Sequence, residues 1–255
     1  MSNNDRRRFL SKVFIAGGAA FLAGCEQLNN SVAFKNVLAS TDKLNDKAFH
    51  ALTPENALAQ EFTEAEMSPY FKANGSVNPK TPEYLALLEN NFNDYRLKVF
   101  GLVDKPLALS LEQLRALPSR TQITRHDCVE GWSCIGKWKG TPLGALLKQA
   151  GPKANAKYVV FHCADSYDNN EERYYESIYL HEADHPQSIL AYDMNDKVLD
   201  VAYGAPLRVR LERKLGYKMA KYILALELVE SLDAIGEGKG GYWEDKHGYH
   251  WHAGI

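Results

Sequence analysis

The apolar residues of this chain come in short runs, and that limits what it can build. The longest, residues 13–22, has ten residues with two glycines inside it, well under the ~18 consecutive apolar residues of a membrane-spanning helix. Further stretches at 123–129, 158–163, 188–194, 207–211 and 222–229 have strand length and are bounded by charged or turn-forming residues. Strands this short bury an apolar face only by pairing, so sheets are expected. Helices are expected at 54–66, at 79–91 (entered through Thr81-Pro82) and at 142–150, the last closed by Gly151. Residues 96–103 alternate as a strand, and Ser110 with Gln113 spells a capping box for a short helix behind it. No βαβ rhythm and no repeat period occurs, so the expected class is α+β, with mixed sheets and short helices.

Charge and motifs remove several function classes. Thirty Lys and Arg against 32 Asp and Glu give a net charge of -2, so no nucleic-acid partner is expected. The four cysteines, Cys25, Cys128, Cys134 and Cys163, form no CxxC pair, which leaves zinc-ribbon and thioredoxin readings without their ligands or redox motif. Pro186 argues against a helix that would align His181 with His185, and with His247, His250 and His252 they read as loop histidines. Asp165, Asp168 and Asn170 lack the glycine and closing glutamate of a calcium loop and are expected to rim a pocket instead. Hydrolase and nucleotide-hydrolysing readings fall away with the absence of GxSxG and Walker patterns.

The first 24 residues read as an address. Arg6-Arg7-Arg8-Phe9-Leu10 before a Gly/Ala-rich apolar run resembles a twin-arginine export signal, a route for proteins already folded, many of them carrying cofactors. Leu22-Ala23-Gly24-Cys25 resembles a lipobox, which makes Cys25 the lipid-anchored first residue of the mature chain. The expected layout is signal 1–24, tether 25–51 and folded domain 52–255, in the periplasm and held at a membrane.

The informative window is Arg125-His126-Asp127-Cys128-Val129-Glu130-Gly131-Trp132-Ser133, where a strand delivers a cysteine to a turn. Downstream stand Gly136-Lys137-Trp138-Lys139-Gly140-Thr141-Pro142-Leu143, Leu190 to Asn195, Tyr203-Gly204-Ala205-Pro206-Leu207-Arg208 and Leu215 to Tyr222. Together these resemble the sulfite-oxidase-like family of molybdopterin oxidoreductases, and within it the periplasmic methionine-sulfoxide reductases. The resemblance covers about 69–255 and implies a sulfite-oxidase-type molybdopterin-binding domain.

For the site, the resemblance implies Cys128 as molybdenum ligand, a role that suits a soft thiolate. It implies cofactor contacts from Asn74, Gly75, Cys163, Tyr203, Arg208, Met219, Ala220 and Lys221, with Arg208 and Lys221 toward the phosphate. Tyr203 stands where the family usually has Asn or His, and Cys163 where the reductase has Thr. Tyr249, in Trp243 to Tyr249, matches a segment that brings a tyrosine near the metal.

The implied activity is two-electron oxygen-atom transfer on a small substrate, with sulfoxide or N-oxide reduction ahead of sulfite-type oxidation because Glu130 and Trp132 follow the cysteine rather than arginines. A cofactor-free lipoprotein binding module of the same fold is the reading from another class. No haem, flavin or iron-sulfur motif is present, so the electrons are expected from a membrane b-type or a soluble c-type cytochrome. The family's dimerisation domain finds no room after Ile255, and a monomer is expected.

Overall fold

Leu97–Gly101 (β1) runs parallel to Ile223–Val229 (β10) and antiparallel to Leu107–Leu109 (β2). On its other edge β10 pairs antiparallel with Tyr158–Ser166 (β5), which pairs with Arg173–Tyr179 (β6). The order β2-β1-β10-β5-β6 is therefore a mixed sheet. A second, antiparallel sheet is built from Arg120–Asp127 (β3), Ser133–Pro142 (β4), Ile189–Met194 (β7) and Lys197–Val198 (β8), with Arg208–Arg210 (β9) joined to β7. The structure is a computed structural model describing residues 56–167 and 172–255, with positions 31, 32, 41, 44 and 54 before them. The signal, Cys25, almost all of the tether, Asp168 and Asn170 lie outside the described residues. Glu55–Ile255 form one compact unit, and among the described residues no helix is long and apolar enough to cross a membrane.

The helices are short and most have a local cause. Pro82–Glu89 (α1) starts with Pro at its first turn behind Thr81, whose hydroxyl donates to the Ala164 carbonyl at 2.8 Å and so ties the helix to β5. Leu111–Ala116 (α2) carries the expected capping box, with Gln113 N–H donating to Ser110 Oγ at 3.1 Å and Ser110 N–H to Gln113 Oε1 at 2.8 Å. Leu143–Ala150 (α3) buries Leu143, Leu146, Leu147 and Ala150, the i, i+3, i+4, i+7 face, and stops at left-handed Gly151, φ 68°. Leu180–Ala183 (α4) and Tyr242–His247 (α5) complete the set. They place His181 and His247, expected in loops, in short helices; α4 ends before His185, so the first pair does not share a helix.

The expected helix at 54–66 does not form over its length: among the described residues of that stretch only Glu64–Glu66 is helical, as 3-10 helix. The Gln187 side chain explains this, since its Oε1 accepts from Ala59 N–H at 2.8 Å and its Nε2 donates to Ala59 O at 3.0 Å, holding that backbone outside a helix. β4 and β6 lie outside the expected strands; the glycines 136 and 140 hide the first.

The main core gathers Leu97, Val99, Phe161, Leu226 and Leu228 from the mixed sheet with the apolar face of α3. A smaller cluster of Phe71, Trp138, Ile189, Ala191 and Met194 sits against the antiparallel sheet. The β5–β6 register shifts between His162 and Ser166, and bulges of this kind re-aim side chains.

Candidate active site

The β3–β4 register pairs Asp127 with Ser133, so residues 128–132 form the connection. Cys128 opens it, with its N–H donating to Trp132 O at 2.9 Å and its carbonyl accepting from Gly131 N–H at 3.0 Å. The thiol is free and half-buried. Burial raises its pKa above the usual thiol range, while the amides of Glu130 and Val129 and the charge of Lys72 pull the other way. A sulfur so placed is a neutral thiol that a bound metal would deprotonate, not a free nucleophile.

Cys128 lines a cleft of about 130 Å³ together with Asn74, Gly75, Val129, Glu130, Asp165, Tyr167, Tyr174, Gly216, Tyr217, Met219, Lys221, Trp243 and Tyr249. Of the residues expected from sequence, Asn74, Gly75, Cys128, Met219, Lys221 and Tyr249 meet here, as does the expected rim residue Asp165. Gly75 is needed by conformation and by space: φ is +59°, and a Cβ there would strike the Tyr167 hydroxyl. Five rings make one wall. Tyr167 lies 5.1 Å from Trp243 and 5.9 Å from Tyr174, and Tyr249 lies 5.8 Å from Trp243 and 5.1 Å from Tyr217.

Four expected cofactor contacts lie outside the cleft lining. Cys163 is 2% exposed in the main core, its thiol nearest the Phe161 carbonyl at 4.0 Å. Tyr203 turns its hydroxyl to Phe71 O at 2.9 Å. Arg208 is fully buried, donating to Tyr203 O at 3.0 Å and Met219 O at 3.4 Å. Ala220 is buried and accepts from Val209 N–H at 2.9 Å. Lys221 reaches the cleft but not as an anion clamp: its Nζ donates to Asn74 O at 2.7 Å, to Ala202 O at 3.3 Å and to Ser76 O. Burial and Arg208 lower its pKa, yet three carbonyls around three N–H donors favour the charged ammonium. Sequence reasoning missed Tyr167 and Tyr174; no motif marks a side chain chosen by which face of a strand it leaves.

Behind the cleft floor, His126 is fully buried. Its Nδ1 accepts from Arg210 Nη1 at 3.1 Å, which puts the proton of the neutral ring on Nε2. Burial first, then Arg210, Arg208 and Lys221, hold its pKa well below the usual range. The Nε2 donor has no partner, and it points at Gly216, where a Cβ would come within 2.5 Å.

Residues 84–234 match the model of the oxidoreductase molybdopterin binding domain. The chain belongs to this molybdopterin-binding oxidoreductase family. Among its relatives is a protein of Azospira oryzae provisionally named protein-methionine-sulfoxide reductase subunit YedZ1, 37% identical over 249 residues, which span 98% of this chain and 87% of the relative. The protein-methionine-sulfoxide reductase catalytic subunit MsrP of Xanthomonas campestris pv. campestris is 32% identical over 243 residues, 89% of this chain and 71% of the relative. The crystal structure of the sulfane dehydrogenase SoxCD from Paracoccus pantotrophus superposes with a TM-score of 0.50 at 25% identity. That match covers 55% of this chain and only 39% of the solved chain. The α+β fold of mixed sheets and short helices is thus of the sulfite-oxidase type.

The residues present fit the family's molybdopterin. Cys128 offers a soft donor, while the His126 Nε2 donor and the Asp165 Oδ1 acceptor are buried without partners beside the cleft; native interiors rarely leave such groups unpaired unless something else pairs them.

Proposed function

We propose that this chain is an exported, lipid-anchored molybdenum oxidoreductase that removes an oxygen atom from a small sulfoxide or N-oxide, with methionine sulfoxide the first substrate to test. The observation that carries the reading is a free Cys128 thiol, framed by backbone amides, at the head of a cleft in a molybdopterin-binding fold. The names of the Azospira and Xanthomonas relatives support the sulfoxide.

When bound, the molybdopterin supplies the two-electron couple that oxygen-atom transfer needs. The chain's own residues supply the rest. Cys128 holds the metal. The rings of Tyr167, Tyr174, Tyr217, Trp243 and Tyr249 exclude water and offer polarisable faces to a thioether-like group. The lining carries the carboxylates Asp165 and Glu130 against one cation, Lys221, whose donors are already taken by carbonyls. With that ammonium engaged and an acceptor open at Asp165, the lining offers an anion such as sulfite no free cation, which supports a neutral substrate over sulfite-type oxidation. Electrons would come from a membrane b-type or soluble c-type cytochrome.

Molybdenum per chain, measured by mass spectrometry on protein from a molybdenum-replete host able to export by the twin-arginine route, tests this. Near-stoichiometric metal in the wild type, its loss in Cys128→Ala, and sulfoxide reduction driven by reduced viologen but not NADH are the expected results. Full redox activity in Cys128→Ala would refute the ligand. Absence of metal and pterin, in a host that loads a control enzyme, would move the binding-module reading to first place.

A further inference from the structure

Asp165 sits near the end of β5, in the stretch where the ladder to β6 slips register. Its side chain lines the cleft it shares with Cys128. The residue is 2% exposed, and its Oδ1 has no hydrogen-bond partner. Its hydrogen-bond support comes from the Ser76 side chain and a backbone N–H. An unpartnered carboxylate oxygen this deeply buried destabilises a fold unless a ligand bearing donors completes it.

The surroundings say which kind of ligand. Lys221, the cation facing this carboxylate from the 219–221 segment, gives its N–H groups to the carbonyls of Asn74, Ser76 and Ala202. Arg173, on the neighbouring strand, donates to Ala164 O at 2.6 Å. The Lys221 ammonium is therefore taken up by carbonyls while the Asp165 Oδ1 acceptor stays open, the reverse of what a phosphate needs. A pterin's 2-amino-4-oxo ring presents adjacent N–H groups along one edge, and a carboxylate can accept both at once.

Resting on the cofactor reading proposed for this chain, we propose that Asp165 is the acceptor that fixes the N–H edge of the pterin ring. Burial raises the Asp165 carboxyl to about 7 against the pull of Lys221; a donor edge that favours the ionised form would lower it again on loading.

The test uses the full chain, as wild type, Asp165→Asn and Asp165→Leu, each produced in the molybdenum-replete host. Pterin released per chain is read by fluorescence after oxidation, and melting is followed on cofactor-free protein. The expected result is pterin retention on dilution weakened about ten- to a hundredfold in Asp165→Leu and less in Asp165→Asn, with neither cofactor-free variant melting below the wild type. Wild-type retention in both variants would overturn the assignment. A fall in cofactor-free stability that accounts for the lost pterin would overturn it too, because the residue would then be structural. A wild type that carries no pterin would overturn the functional reading itself, so the two failures are distinct.

Discussion

Arg210 shows how much rests on single side chains behind the cleft. It donates to Glu212 Oε1 at 3.0 Å and Oε2 at 2.6 Å, both side chains are fully buried, and its guanidinium lies 4.4 Å from the Trp138 ring centroid. The same guanidinium sets the His126 tautomer. Removing one charge of such a pair leaves the other uncompensated, so Glu212→Gln should lower unfolding stability by about 3–5 kcal/mol, read as a fall in the urea midpoint. The exposed pair Lys148–Asp184, at 3.0 Å with 71% and 55% of the side chains in solvent, sets the contrast; breaking it should change stability by less than about 1 kcal/mol. A loss as small in Glu212→Gln would mean that water or a neighbour compensates Arg210 on unpairing.

At the scale of elements, α2 is a clean case because its start depends on one reciprocal pair of bonds between Ser110 and Gln113. Ser110→Ala should lower stability by about 1 kcal/mol in the same denaturation experiment; no change would mean that the two bonds are replaced by water without loss. That box was legible in the sequence because capping is local, as were the start of α1 at Thr81-Pro82 and the stop of α3 at Gly151. β4 was not legible, although it pairs with both β3 and β7: its glycines weaken the local strand signal, and its two neighbours make it a strand. The lost helix at 54–66 has the same origin, since its backbone partner, Gln187, is far away in sequence. The site divides likewise. Cys128 stood out because a strand end and its flanking residues are contiguous, whereas Tyr167 and Tyr174 reach the cleft through the geometry of β5 and β6.

Across the whole unit, tyrosine is the residue that ties pH to the fold. Burial raises the pKa of Tyr84, Tyr95, Tyr167, Tyr174, Tyr175, Tyr217 and Tyr222 above the ordinary phenol value. The unfolded chain ionises these groups near pH 10 and the folded chain above it, so the stability they protect is intact below pH 10 and lost as pH rises past it. Each contributes up to about 1.4 kcal/mol per pH unit in that window, so tyrosinate absorbance and loss of circular dichroism should appear together in one steep step. Tyrosinate rising gradually near pH 10 in a still-folded chain would contradict the burial. The cleft draws its walls from Asn74 and Gly75, from Cys128 to Glu130, from Asp165, Tyr167 and Tyr174, from Gly216, Tyr217, Met219 and Lys221, and from Trp243 and Tyr249. A nascent chain that has emerged only as far as Lys221 still lacks Trp243 and Tyr249, so the cofactor's seat comes into being after synthesis of all these segments and not during it. Loading is then a step that waits for the last wall to be made, the segment that carries Trp243 and Tyr249.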